Sequence, residues 1–200
     1  MSNGEEEAWL RLQKLDPADV CRNTKAGFNE VSGHYVLPVF NTEIFISPPD
    51  RLIRGDTRLV KMLLNGLDYY ARLPSLWYLI DAKDKPLSGE LINPRQVGGG
   101  LIFDRGSHVL PLDKILERYS HDVNEFIRRG TKLGGEQLDY GDASIRLFPF
   151  PRVPVVLIVW NEDGEFPARA DILFDSTCTQ QLSTDMIWAT AMMSILVLLA

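Results

Sequence analysis

VPVVLIVW, residues Val153 to Trp160, is a nearly unbroken apolar run of strand length, the pattern of a strand buried on both faces. It belongs at the centre of a sheet. On its N-terminal side Ile145 and Leu147 alternate with Ser144 and Arg146 as in a half-buried strand. On its C-terminal side Asn161 to Gly164 supplies a turn and Ala170 to Phe174 a returning strand. Ser183 or Thr184 then reads as the N-cap of a helix whose closing segment, Met186 to Ala200, is apolar apart from Thr190 and Ser194. That segment is short of the roughly 20 residues that span a bilayer, so it reads as a buried core helix. The alternatives are a tail anchor or a segment that continues past Ala200. A helix apolar all round must be covered by something, and if the domain does not cover it, a partner or lipid does.

Working outward to the first half, Trp9, Leu12 and Leu15 fall on one side of a helix, and Asp16-Pro17 opens a second with an N-cap and a proline at its first position. Gly33 to Ser47 reads as a hairpin with its turn at Asn41-Thr42, ended by Pro48 and Pro49. Leu59, Val60, Leu63, Leu64, Leu67 and Tyr70 recur at helical spacing, and Pro74 is expected to restart the chain. Leu76 to Ile80 fits a helical turn or a strand, Asp81 to Pro86 a polar turn, and Leu101 to Phe103 a short strand. Pro111 introduces one helix, and Asp122 with Glu125 caps the next, which Gly134 should stop. The expected fold is a single α+β domain over residues 1–200. A helical segment (1–30) leads to a strand-rich region (134–200), with a mainly antiparallel or mixed sheet packed by several helices and closed by the apolar C-terminal helix.

With 45% hydrophobic and 24% charged residues the chain has the composition of a globular protein. Its net charge of -6 lacks the positive field that gathers phosphates along a nucleic acid. Cys21 and Cys178 stand alone, with no spacing that reads as a metal or redox set. The acidic N-terminus lacks the basic and apolar pattern of a secretory leader, which points to the cytoplasm and free thiols.

Chemistry-bearing motifs are sparse. Gly98 to Gly100 is followed by no Gly-Lys-Ser/Thr and reads as a loop or bulge. His34, His108 and His121 are scattered, neither G-x-S-x-G nor H-E-x-x-H occurs, and no cofactor or metal set is evident. Two places remain. Arg54 and Arg58 lie near the start of a strong helix, where an anionic ligand could be held. Tyr140, Asp142, Arg152 and Asp175 fall at the ends of the C-terminal strands, where carboxylates could act as acid, base or cation ligands. The bland reading of the second group is turn chemistry, in which Asp and Gly bond their own backbone.

Leu87-Ser88-Gly89, Leu133-Gly134-Gly135, Tyr140-Gly141-Asp142-Ala143, Pro149-Phe150-Pro151-Arg152-Val153-Pro154 and Leu173-Phe174-Asp175-Ser176, in that order, resemble a prokaryotic family known as domain of unknown function 3786. The resemblance implies a fold and an anaerobic setting, with a link to redox, iron-sulfur or corrinoid metabolism carried by family context alone. Some members carry a four-cysteine iron-sulfur module ahead of this domain, and here the N-terminal region offers only Cys21. The leading expectation is a soluble binding or accessory protein for a small molecule or a protein partner, with no nucleic-acid or membrane role. The alternatives are a small enzyme using the strand-end Tyr, Arg and carboxylates, and a subunit that oligomerises through its C-terminal helix.

Overall fold

The computed structural model describes residues 3–100, 103 and 108–200. Helix α1 (Asn3–Leu12) and helix α2 (Pro17–Thr24) come first, the latter capped by Asp16, whose carboxylate accepts the Ala18 amide hydrogen. A meander of four antiparallel strands follows: β1 (Gly27–Asn29), β2 (His34–Val39), β3 (Thr42–Ser47) and β4 (Leu52–Arg54). Alternate residues of β2 (Tyr35, Leu37, Val39) and of β3 (Ile44, Ile46) are buried, and the intervening ones face outward.

The hairpin turn is Phe40-Asn41, one residue earlier than expected, and Thr42 opens β3. Phe40 has φ +53°, a conformation that favours glycine. It is held there because its amide donates 2.8 Å to the carbonyl of Phe148, at a register shift in a later strand.

The long apolar periodicity after Arg58 is split into α3 (Arg58–Asn65) and α4 (Asp68–Asp81) by a break at Gly66-Leu67. Pro74 does not restart the chain. It lies inside α4 and is buried, and Leu76 to Ile80 is helix. A segment without regular structure leads to β5 (Leu91–Ile92) and a 3₁₀ turn (Pro94–Gln96). Gly98 sits in the loop beyond, its carbonyl taking a hydrogen bond from Thr184 Oγ1 at 2.6 Å. Of the expected strand at 101–103, Leu101 and Ile102 lie outside the described residues.

Helices α5 (Leu112–Tyr119) and α6 (Val123–Lys132) start after Pro111 and Asp122 as expected. Strands β6 (Glu136–Leu138), β7 (Ala143–Phe150), β8 (Val153–Trp160) and β9 (Arg169–Asp175) complete an antiparallel sheet of order β5-β9-β8-β7-β6. The opening run is thus its central strand, buried from Val153 to Val159.

Helix α7 (Thr184–Leu199) packs on α4, α5, α6 and β7, and most of its residues are buried by its own chain. Its last carbonyls are met by the Arg118 guanidinium, the Tyr119 hydroxyl and Arg129, which supply partners that a helix end otherwise lacks. Among the described residues no helix is long and apolar enough to cross a membrane. The fold is α+β, with two antiparallel sheets and a closing apolar helix.

Candidate functional site

The strands that carry the expected catalytic group are adjacent, but antiparallel pairing sends its members to opposite ends. Asp175 closes β9 and Arg152 sits in the β7–β8 turn, at one end. Asp142 bonds through its amide to the Val159 carbonyl at the other. About six residues of β8 separate the two ends, or roughly 20 Å at the rise of a strand. Tyr140, Asp142, Arg152 and Asp175 therefore form no single constellation.

At the first end the polar groups clamp the segment that follows α4. Asp175, 2% exposed, accepts from the amide and hydroxyl of Ser88 (3.1 and 3.0 Å), the Gly89 amide (2.9 Å), and the amide and hydroxyl of Thr177 (3.0 and 2.6 Å). Burial alone would raise its pKa, but these donors outweigh it and hold the carboxyl below the usual range. Arg152 is buried, pairs with Asp84 and donates to the carbonyls of Lys85 (2.7 Å) and Arg22 (3.2 Å). Its amide donates to the Tyr78 hydroxyl, which in turn donates to the Thr24 carbonyl at 2.9 Å. Gln181, fully buried, accepts the Lys83 amide hydrogen at 2.9 Å. Asp175 is saturated by backbone and neighbours, Arg152 keeps only its buried Nε–H without an acceptor, and the arrangement fixes the 83–90 strap.

At the opposite end Gly141 has φ +57°, and a side chain there would meet Ile158 Cγ2 at 2.7 Å and the Val159 carbonyl at 2.8 Å. Glycine is required by both conformation and space. Asp142 accepts from the Asn161 amide at 2.7 Å, and the Ser144 hydroxyl accepts from the Tyr140 amide at 3.0 Å. Tyr140 and Asp142 themselves are exposed. The Tyr-Gly-Asp-Ala motif performs turn chemistry.

The thiol of Cys178 is buried, and burial pushes its pKa up to about 12, so at neutral pH it is no nucleophile. Among the described residues no three His, Cys, Asp or Glu side chains gather where a metal could be held.

The remaining candidate, Arg58, does border a cavity. It lies where the start of α3, the end of α6, Asn41 of the hairpin turn with Thr42 at the start of β3, and the end of α7 meet, and has a volume of about 440 Å³, within the range of small-molecule sites. Arg58, Arg129 and Lys132 bring three cations to its wall, which carries no carboxylate side chain, and Leu59, Met62, Leu133 and Val197 supply an apolar part. Among the described residues none of these cations has a carboxylate within ion-pair distance. Arg129 also keeps a buried Nε–H without an acceptor. Arg54 stands apart, opposite Phe45 in the β3–β4 pairing and outside the cavity wall.

Gly134 sets the shape of this wall. Its φ of +79° ends α6, and a side chain there would approach Asn41 Cβ to 2.9 Å. The close approach lets Asn41 donate to the Lys132 carbonyl at 2.7 Å, locking the helix end against the hairpin turn. Arg129 and Lys132 were missed by sequence reasoning. Their only signal was a basic last turn on α6, which ordinarily complements the helix dipole.

No curated protein and no solved structure matched the chain in comparison. The profile of one family, described as a domain of unknown function, matches residues 16–196. The motif residues already placed at the strap, at the Gly141 turn and at the end of α6 all lie inside that span, and the chain belongs to the family DUF3786.

Proposed function

We propose that this protein is a binding protein for a small anionic molecule, held in the cavity between α3, α6 and the β2–β3 turn. The observation that carries the reading is the convergence of Arg58, Arg129 and Lys132 on one concave, partly apolar wall in a chain of net charge -6. Like charges brought together raise one another's energy unless an anion joins them. Arg129 also serves a carbonyl at the end of α7, and Arg129 and Lys132 complement the end of α6, but neither role calls for Arg58 beside them. The first turn of α3 adds backbone N–H donors beside Arg58, where Thr57 caps the helix and leaves its own hydroxyl at the cavity wall.

An accessory role built on α7 has less support, since that helix is covered by its own chain.

Titration calorimetry with pyrophosphate at low ionic strength tests the proposal. We expect saturable binding that weakens as chloride is raised and falls at least tenfold in Arg58→Ala/Lys132→Ala, since a hydrogen bond to a charged group contributes about 1.5–3 kcal/mol. Both positions are exposed, so folding is unaffected. No heat and no thermal shift at millimolar pyrophosphate would end the proposal.

A further inference from the structure

The basic cavity does not stop at the hairpin turn. A second depression, of about 570 Å³, adjoins it and shares Asn41, Thr42 and Thr57 with its wall. The hydroxyls of Thr42 and Thr57 lie 3.1 Å apart at the waist between the two. The chemistry reverses across that waist. On the far side Pro38, Phe40 and Phe45 offer half-buried ring surfaces, and Glu43 and Asp56 offer carboxylates. Pro38 and Glu43 face each other in the β2–β3 register, so ring and carboxylate belong to one outward surface of the sheet. Among the described residues neither Glu43 nor Asp56 is ion-paired.

We infer that the site takes a bipartite ligand: an anionic group beside Arg58, Arg129 and Lys132, joined across the Thr42–Thr57 waist to a planar ring bearing amino donors. A purine nucleoside monophosphate has that chemistry. The phosphate meets the cations, and the sugar hydroxyls meet the two threonine hydroxyls. The base lies on the Phe40, Phe45 and Pro38 surfaces, as bases stack on aromatic side chains elsewhere, and turns its amine toward Glu43 and Asp56, which only accept hydrogen bonds when ionised. A ligand anionic at both ends is disfavoured, because the two carboxylates would repel its second charge.

The inference rests on the anionic-ligand reading above, and its test separates the two. Calorimetry on the full chain compares AMP, ribose 5-phosphate, adenosine and inorganic phosphate in one low-salt buffer. AMP should bind at least tenfold more tightly than ribose 5-phosphate and than adenosine. Phe45→Ala should bring AMP down to the affinity of ribose 5-phosphate and leave the latter unchanged. Glu43→Gln, at an exposed position with no role in folding, should weaken AMP severalfold with ribose 5-phosphate unaffected. Equal affinities for AMP and ribose 5-phosphate would overturn the bipartite ligand while leaving the anion site standing. Adenosine binding as well as AMP, or silence from every phosphate, would overturn both.

Discussion

Asp175 carries more of the fold than a turn aspartate usually does. Its carboxylate collects five donors from three residues in two segments, and their net effect is a depressed pKa. A depressed carboxyl contributes stability that is fully present above the unfolded value, about 3.9, and is lost as pH falls through the folded one. Asp175→Asn should therefore cost about 2–4 kcal/mol at pH 7, the range for breaking a buried charged network. The difference from wild type should shrink steadily below pH 4, as measured by urea unfolding at each pH. A gap that stays constant down to pH 2 would mean that packing, and not the charge, sets the cost. Arg152 and Asp84 make an unequal pair at the same end, with side chains 8% and 53% exposed. Arg152→Ala removes its packing and strands the Lys85 and Arg22 carbonyls, and should cost about 2–5 kcal/mol. Asp84→Ala should cost less, about 1–2 kcal/mol, because water reaches its place and Arg152 keeps both carbonyl acceptors. Denaturation midpoints of Arg152→Ala and Asp84→Ala decide this directly.

Between elements, the strap from Lys83 to Glu90 shows how side chains substitute for regular structure. Three of its amides, on Lys83, Ser88 and Gly89, donate to the buried side chains of Gln181 and Asp175. Hydrogen exchange should find these amides protected far beyond what an irregular segment implies, with Ser88 and Gly89 losing protection in Asp175→Asn. Fast exchange at both positions in wild type would contradict the clamp. At the end of α6, Gly134→Ala should cost about 1–3 kcal/mol, since it strains a left-handed residue and presses on Asn41. The same change should weaken pyrophosphate binding by displacing Lys132. What the sequence made legible follows local periodicity and punctuation: β8 as central strand, the caps of α2 and α6, and the closing helix. Pro74 was misleading because a proline reads as a break, whereas burial among neighbouring helices holds α4 together through it. The basic cavity was half legible for a related reason. Arg58 stands beside a readable helix start, but Lys132 reaches the same wall only through a contact with Asn41, 91 residues away in sequence. The strand-end group failed differently, since motif order along a chain does not say which end of an antiparallel sheet each residue occupies.

At the scale of the molecule, first and last segments are interlocked. Arg152 in the second sheet bonds the Arg22 carbonyl, Tyr78 bonds the Thr24 carbonyl, and the first hairpin bonds β7 through Phe40 and Phe148. Helix α1 lies before the family match, which begins at residue 16. It nevertheless packs on α4, and Ala8, Trp9 and Leu12 are almost wholly buried. Gln13, just beyond it, donates to the Pro48 carbonyl at 2.7 Å, and Arg51 pairs with Glu6 at 2.8 Å, so α1 also ties down the end of the first sheet. If this cohesion governs unfolding, the chain behaves as one cooperative unit, and α1 contributes to the stability of parts it never touches. Trp9→Ala should then cost about 3–5 kcal/mol, as for other fully buried aromatics. Removal of residues 1–15 should cost at least as much and lower the midpoint of every probe together. Far-ultraviolet dichroism reports helices and strands throughout, and tryptophan emission reports Trp160 and Trp188 as well as Trp77, on whose ring Arg11 of α1 lies. Coincident transitions shifted by the same amount are the expected result. A truncated chain whose transitions keep the wild-type midpoint would show α1 to be an appendage, and the core to be complete within residues 16–196.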